Sequence, residues 1–284
     1  MPETGYLQTR QLPPHIRSTD SLAKRFWGQG IALLPIFIAA CFTGHAGILR
    51  VLLICLVSVV SVEFLIAKLS GKKDNLHNGE AVLTAALFSL LVPSRCASEI
   101  IIFGVFIISI IRAMFGGTGT YPLQPLLLAR AILQLSFSNK MGEPMLLAGE
   151  GSLWVLVSIG LGGVLLMSQK KGYWENPVFF IAVCAVFKIL GGAYGITAAF
   201  LSSVLFTAFF LLADPVVLPL TRRGNIYFVL GAGILSSCLE AGGFSISAAT
   251  CALLWMSLIT PWLDVLIRPV TFKSIKPLKA THPR

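Results

Sequence analysis

Six ionisable side chains fall inside or beside the apolar runs of this 284-residue sequence: Glu63, Glu80, Arg112, Arg130, Lys188 and Asp214. Charge in hydrocarbon is costly, so such residues usually face a bundle interior or a water-filled cavity. Near an interface, long side chains instead reach water with their charged ends. Glu63, Glu80 and Asp214 fit that second reading. Arg112 and Arg130 do not, because they flank a Gly/Pro-rich stretch from Gly116 to Pro125. A guanidinium offers paired donors to phosphate, carboxylate or a flavin carbonyl. Gly116, Gly117 and Gly119 in that stretch permit close backbone approach to a planar ring. In a second segment, 213–224, Asp214-Pro215 favours a turn, and Thr221, Arg222 and Arg223 supply donors to an anion. The candidate binding residues are therefore Arg112, Gly116, Gly117, Gly119, Arg130, Asp214, Thr221 and Arg223. No catalytic residue stands out.

Other chemistries find no support. The four histidines, His15, His45, His77 and His282, lie outside the apolar runs, so a haem held between two transmembrane histidines is not expected. There is no GxxxxGK[ST] phosphate loop, and no Ser-His-Asp or Cys-His arrangement. The six cysteines form no CxxC pair and lie in or beside apolar runs, where cysteine behaves as a small hydrophobe. No metal site is expected.

The elements that must carry these residues are membrane helices. Hydrophobic residues make up 56% of the chain, charged residues only 12%, and the mean hydropathy is +0.84. A soluble domain carries about 25% charge, so lipid must cover much of this one. Apolar runs of roughly membrane-spanning length predict ten spans near 27–43, 47–67, 79–94, 99–115, 124–137, 152–168, 176–192, 195–213, 225–239 and 246–266. The fifth is short and follows the Gly/Pro-rich stretch, so it reads as a half-helix entered by broken backbone. Residues 1–26 are polar, with no apolar core before Phe26, so a signal peptide is not expected.

The net charge of +10 is a topology signal and not a nucleic-acid footprint. Lys24 and Arg25, Lys68 with Lys72 and Lys73, Lys170 and Lys171, Arg222 and Arg223, and Lys273 with Lys276 and Lys279 all fall on one side of a ten-span chain. That side is cytoplasmic by the positive-inside rule, which places both termini inside. The expected fold is an all-α polytopic membrane protein in two pseudo-symmetric repeats. Its parts are a cytoplasmic segment 1–26, a membrane domain 27–268 with repeats at about 27–137 and 152–268, and a basic cytoplasmic tail 269–284. The repeat rests on the likeness of 86–93 to 208–215, each followed by an apolar span and a glycine pair, Gly116–Gly117 and Gly242–Gly243.

Several stretches, in order, resemble one family. Pro14 to Ser18 (PHIRS), Trp27 and Ala32 to Pro35 resemble the start of the D subunit of Rnf-type electron-transport complexes. Gly79 to Pro93 is similar to its third helix, and Phe115 to Pro125 with Ala129 to Ala131 to its glycine-rich break and following helix. Asp214-Pro215 with Pro219 to Gly224 resembles its cytoplasmic loop, and Gly242 to Pro269 its last helix. The B subunit of the Na⁺-translocating NADH:quinone oxidoreductase is a close relative. The resemblance implies two related or inverted halves, a covalent FMN on a threonine, often a second, non-covalent flavin, and a place in a multi-subunit pump driving Na⁺ or H⁺. This chain departs at the flavin threonine: Ser138 to Gly151 contains no threonine. Gln124 also stands before Pro125 where relatives often have Asn. Covalent FMN is therefore not expected, while a non-covalent riboflavin or FMN is allowed.

Three functions follow. One is a redox subunit of an Rnf-like complex in a bacterial or archaeal inner membrane, with iron–sulfur and flavin-bearing partner subunits. A second is a flavin-less scaffold or ion-path subunit of such a complex, and a third is a small-solute channel or transporter. The site is expected at the cytoplasmic ends of the spans, between the Gly116–Pro125 break and the Asp214–Gly224 loop.

Overall fold

The computed structural model describes residues 22–43, 47–70, 79–115, 121, 123–138, 140–141, 153–169, 174–191, 198–213, 218–219, 221–242 and 248–267. These residues form ten helices and no strand. The helices are α1 (Leu22–Phe42), α2 (Gly47–Ser70), α3 (Glu80–Leu91), α4 (Ser98–Met114) and α5 (Pro125–Ser136), then α6 (Leu153–Ser168), α7 (Glu175–Leu190), α8 (Ala198–Phe206), α9 (Arg222–Ala241) and α10 (Ala248–Leu266). α8 runs directly into a π-helical turn, Thr207–Leu211. In lipid every backbone group must find a partner within its own segment, and helices meet that demand. α1, α2, α9 and α10 are long and apolar enough to cross a membrane. Their outward faces are apolar, as on α2 with Leu49, Leu53, Val57 and Phe64 exposed.

Two helices are short for identifiable reasons. α3 has 12 residues, about 18 Å of rise against a hydrocarbon core of about 30 Å. It ends because Pro93 follows Val92, and a residue before proline is pushed out of the helical region; Val92 is extended, with φ −102° and ψ 141°. The expected span of 79–94 thus gives way to a shorter helix. α3 starts after Gly79, whose φ of +75° favours glycine. α5, also 12 residues, starts with Pro125 at its first position, where the missing N–H costs nothing.

The bundle has two faces. Gln169, just past α6, donates to the Gly28 carbonyl at 3.0 Å, and Gln29 to the Ala213 carbonyl at 3.4 Å. The start of α1 and the ends of α6 and α8 therefore share one face, here the near face. Arg50 at the start of α2 reaches the Cys96 carbonyl ahead of α4, at 2.9 Å, on the far face. α1 packs on α6 and α3, α2 on α3 and α4, and α4 on α5. Among the later helices α6 packs on α8, α7 on α9, and α9 on α10. The pairs α1–α3, α2–α4 and α4–α5 thus recur five helices later, and an odd number of spans between the two sets turns the second upside down.

The α1–α6 contact depends on small residues, as bilayer packing does. A Cβ added at Gly162 would stand 2.4 Å from the Ala32 carbonyl oxygen and 2.9 Å from Phe210 Cζ. Neither the backbone nor a ring in the core can yield cheaply. Gly162→Ala should destabilise the detergent-solubilised chain by about 1–3 kcal/mol, as over-packing does. Gly160→Ala, which meets nothing within 4 Å, is the control. Equal melting temperatures for the two variants would refute this contact.

Candidate functional site

Both short helices start beside one near-face cavity. It is lined by Glu80, Leu83, Thr84 and Leu87 of α3, Arg112 of α4 and Gln124 with Pro125 at the head of α5. α1 adds Arg25, Phe26 and Gln29, Tyr121 comes from the break, and Phe210 from the π turn. The starts of α3 and α5 meet there, with α1 and the π turn after α8 lining it as well. Trp27 sets the α3 start: a Cβ at Gly79 would lie 2.8 Å from its Nε1. The cavity measures about 50 Å³, and a water needs roughly 10–15 Å³ on this scale, so it holds a few waters.

Arg112 organises the charge there. Its Nη1 donates to Glu63 Oε1 of α2 at 3.1 Å, and its Nη2 lies 3.4 Å from Glu80 Oε1 of α3. Nη2 also donates to the Thr84 hydroxyl, which itself donates to the Glu80 carbonyl at 2.8 Å. One guanidinium thereby joins α2, α3 and α4. The Arg112 side chain is 15% exposed, and its Nε meets no hydrogen-bond acceptor among the described residues. Gln124, 5% exposed, brings an amide to the same cavity. The Glu80 carboxylate, a hydroxyl, an amide and a buried N–H donor can order water, exchange a proton or offer oxygen ligands to a small cation.

The other expected residues lie elsewhere. Arg130 is 3% exposed and does not line this cavity; its Nη1 reaches Met141 Sδ at 3.5 Å, and Met141 also touches Cys96 Sγ at 3.9 Å. The Cys96 thiol, outside the helices, is pushed up by burial. Thr221 caps α9, its hydroxyl accepting from the Gly224 N–H at 3.1 Å. Arg223 is exposed in the first turn of α9. Gly116, Gly117, Gly119 and Asp214 lie outside the described residues. Sequence reasoning missed Tyr121, Gln124 and Gln29 as lining residues. The Gln before the helix-starting Pro125 was the available signal for one of them.

The chain matches the sequence profile of the NQR2, RnfD, RnfE family over residues 9–147 and 143–273. It belongs to that family. Relatives share about a quarter of its residues at nearly full length. The D subunit of the proton-translocating ferredoxin:NAD(+) oxidoreductase complex of Clostridium ljungdahlii is 26% identical over 91% of this chain and 94% of its own. Its counterpart in the Na(+)-translocating ferredoxin:NAD(+) oxidoreductase complex of Acetobacterium woodii is 27% identical over 88% and 91%. The D subunit of the ion-translocating oxidoreductase complex of Methanosarcina acetivorans is 27% identical over 90% and 94%. The resemblance seen in the motifs thus extends through the whole membrane domain. The residues beside which that resemblance would place a flavin, Gly116, Gly117, Gly119 and Asp214, lie outside the described residues.

Proposed function

We propose that this chain is the D-type membrane subunit of an Rnf-like complex, coupling electron transfer of the ferredoxin–NAD or quinone type to Na⁺ or H⁺ movement. Its place is the bacterial or archaeal inner membrane, beside iron–sulfur and flavin-bearing partner subunits. The observation that carries the reading is the match to complex subunits along nearly the whole of both chains. The near-face cavity supports the ion-path form of it. Glu80, Thr84, Gln124 and Arg112 offer polar groups around space for water or a bare cation, and Glu63 pairs with Arg112 behind them. The basic clusters assign the near face to the cytoplasm.

The missing threonine in Ser138 to Gly151 and the small near-face cavity both support a chain without flavin. The purified chain, denatured and viewed under ultraviolet light in a gel, should show no flavin fluorescence at its mass, even after co-expression with a flavin transferase. In the native state it should lack a flavin absorption band. A fluorescent band would mean that a covalent site lies outside 138–151, and a native band alone would restore a non-covalent flavin. The function itself is tested with a tagged chain in its own membranes. The other subunits of such a complex should co-purify, and deleting the gene should abolish redox-driven ion uptake by membrane vesicles. Recovery of the chain alone, with uptake unchanged in the deletion strain, would favour the small-solute transporter.

A further inference from the structure

Two equivalent helix pairs are held by polar contacts at both ends. α2 and α4 meet through Glu63–Arg112 at the near face and through Arg50 on the Cys96 carbonyl at the far face. α7 and α9 meet through Glu175–Arg222 and the buried Asn225–Asn176 amide pair, 2.6 Å, at the near face. At the far face Lys188 Nζ lies 2.6 Å from Glu240 Oε1. On α2 the pinned residues are Arg50 and Glu63; on α7 they are Glu175 and Lys188. Both sets are separated by about 20 Å of helix. The signs run in opposite order along the two helices. Because the second set of helices is inverted, the sidedness is the same: carboxylates on α2 and α7 at the near face, cations on both at the far face.

The helices with interrupted backbone lie outside these two pairs. Pro35 is inside α1, Pro261 inside α10, and the π turn extends α8. Internal prolines and π turns are the usual sites of helix bending. α2, α4 and α9 contain no proline, and Pro177 of α7 sits in its first turn, where it is tolerated.

We infer that α2–α4 and α7–α9 are two rigid arms, each fastened at both faces, and that conformational change in this chain is confined to α1, α8 and α10. An apolar helix interface in lipid slides easily, since lipid tails replace lost contacts without a hydrophobic penalty. A polar contact at each end of a helix pair resists both sliding and splaying, since separation strips partly buried groups of their partners; at the near end of α7–α9 the buried Asn225–Asn176 pair does this, because Arg222 is 70% exposed. Moving α1 or α8 against fixed arms would change the near-face cavity, because Phe26, Gln29 and Phe210 line one side of it while Arg112 lines the other. The inference does not depend on the redox function, since it concerns only the helices of this chain.

Hydrogen exchange read by mass spectrometry on the full chain in its native membranes tests it. Amides of α2, α4, α7 and α9 should exchange more slowly than those around Pro35, Pro261 and the π turn. Lys188→Gln should speed exchange at the far ends of α7 and α9 about tenfold, equivalent to about 1.4 kcal/mol of local opening, and leave α2 and α4 unchanged. The swapped pair Lys188→Glu with Glu240→Lys should restore slow exchange, which separates loss of the fastening from general misfolding. Arms that exchange as fast as the broken helices would overturn the inference. So would a Lys188→Gln chain with unchanged arms, or a swapped pair that stays fast.

Discussion

Arg112→Gln should cost the chain about 3 kcal/mol of stability, the low end of the range for removing one partner of a buried ion pair. The low end applies because Glu63 is a quarter exposed, so water relieves part of the loss. Gln can replace one hydrogen bond, to Thr84 or to Glu63, but it cannot neutralise two carboxylates. Glu63 and Glu80 would then repel each other across α2 and α3 beside the cavity. The measurement is the thermal midpoint of the detergent-solubilised chain by monodispersity. Arg112→Lys should fall between, because an ammonium keeps the charge but reaches fewer of the three partners. Adding Glu63→Gln to Arg112→Gln should recover part of the loss, since one buried carboxylate no longer needs a countercharge. A single variant as stable as the parent would mean that Arg112 is solvated and the triple contact is unimportant. Double-variant recovery is the more specific readout, because a general packing defect would not respond to the removal of Glu63.

The sequence revealed much of this architecture and little of this pairing. Ten apolar runs sat where ten helices stand, because a bilayer demands long uninterrupted apolar stretches and marks their ends with lysine and arginine. The half-helix α5 was legible from the Gly/Pro-rich stretch before it. The shortness of α3 was not, since its apolar run continues through Val92 and only Pro93 signals the stop. Arg112, Glu63 and Glu80 were visible as ionisable residues out of place. That they meet was not visible, because α2 and α4 stand 49 residues apart at the contact, and hydropathy does not fix how a helix is rotated. For the same reason Arg112 and Arg130 looked like neighbours around one break, while in space Arg130 turns to Met141. Glu240 went unnoticed at a helix end, although it supplies the partner of Lys188.

The largest effect to expect is all-or-none and concerns sidedness. Reporter domains fused after Lys73, Lys171 and Arg223 should all score cytoplasmic, and one after Gly149 should score external. Lys73 follows α2 and precedes α3, whose start shares the near-face cavity with the start of α1. Lys171 follows α6, whose end is tied to the start of α1 by Gln169 on the Gly28 carbonyl. Arg223 lies in the first turn of α9, beyond an α8 whose end meets Gln29 at Ala213. The described helix ends next to all three fusion points thus lie on the face on which α1 begins. Gly149 precedes α6, one helix away from Lys171, and must lie across the bilayer if α6 spans it. α6 has 16 residues and rises about 24 Å, less than the hydrocarbon core of about 30 Å. Local thinning of the bilayer around it covers the difference at modest cost. Opposite scores for Lys171 and Gly149 therefore report directly on whether α6 crosses. If both points report the same side, α6 does not span, the second set of helices is not inverted, and the matched signs on the two arms lose their explanation.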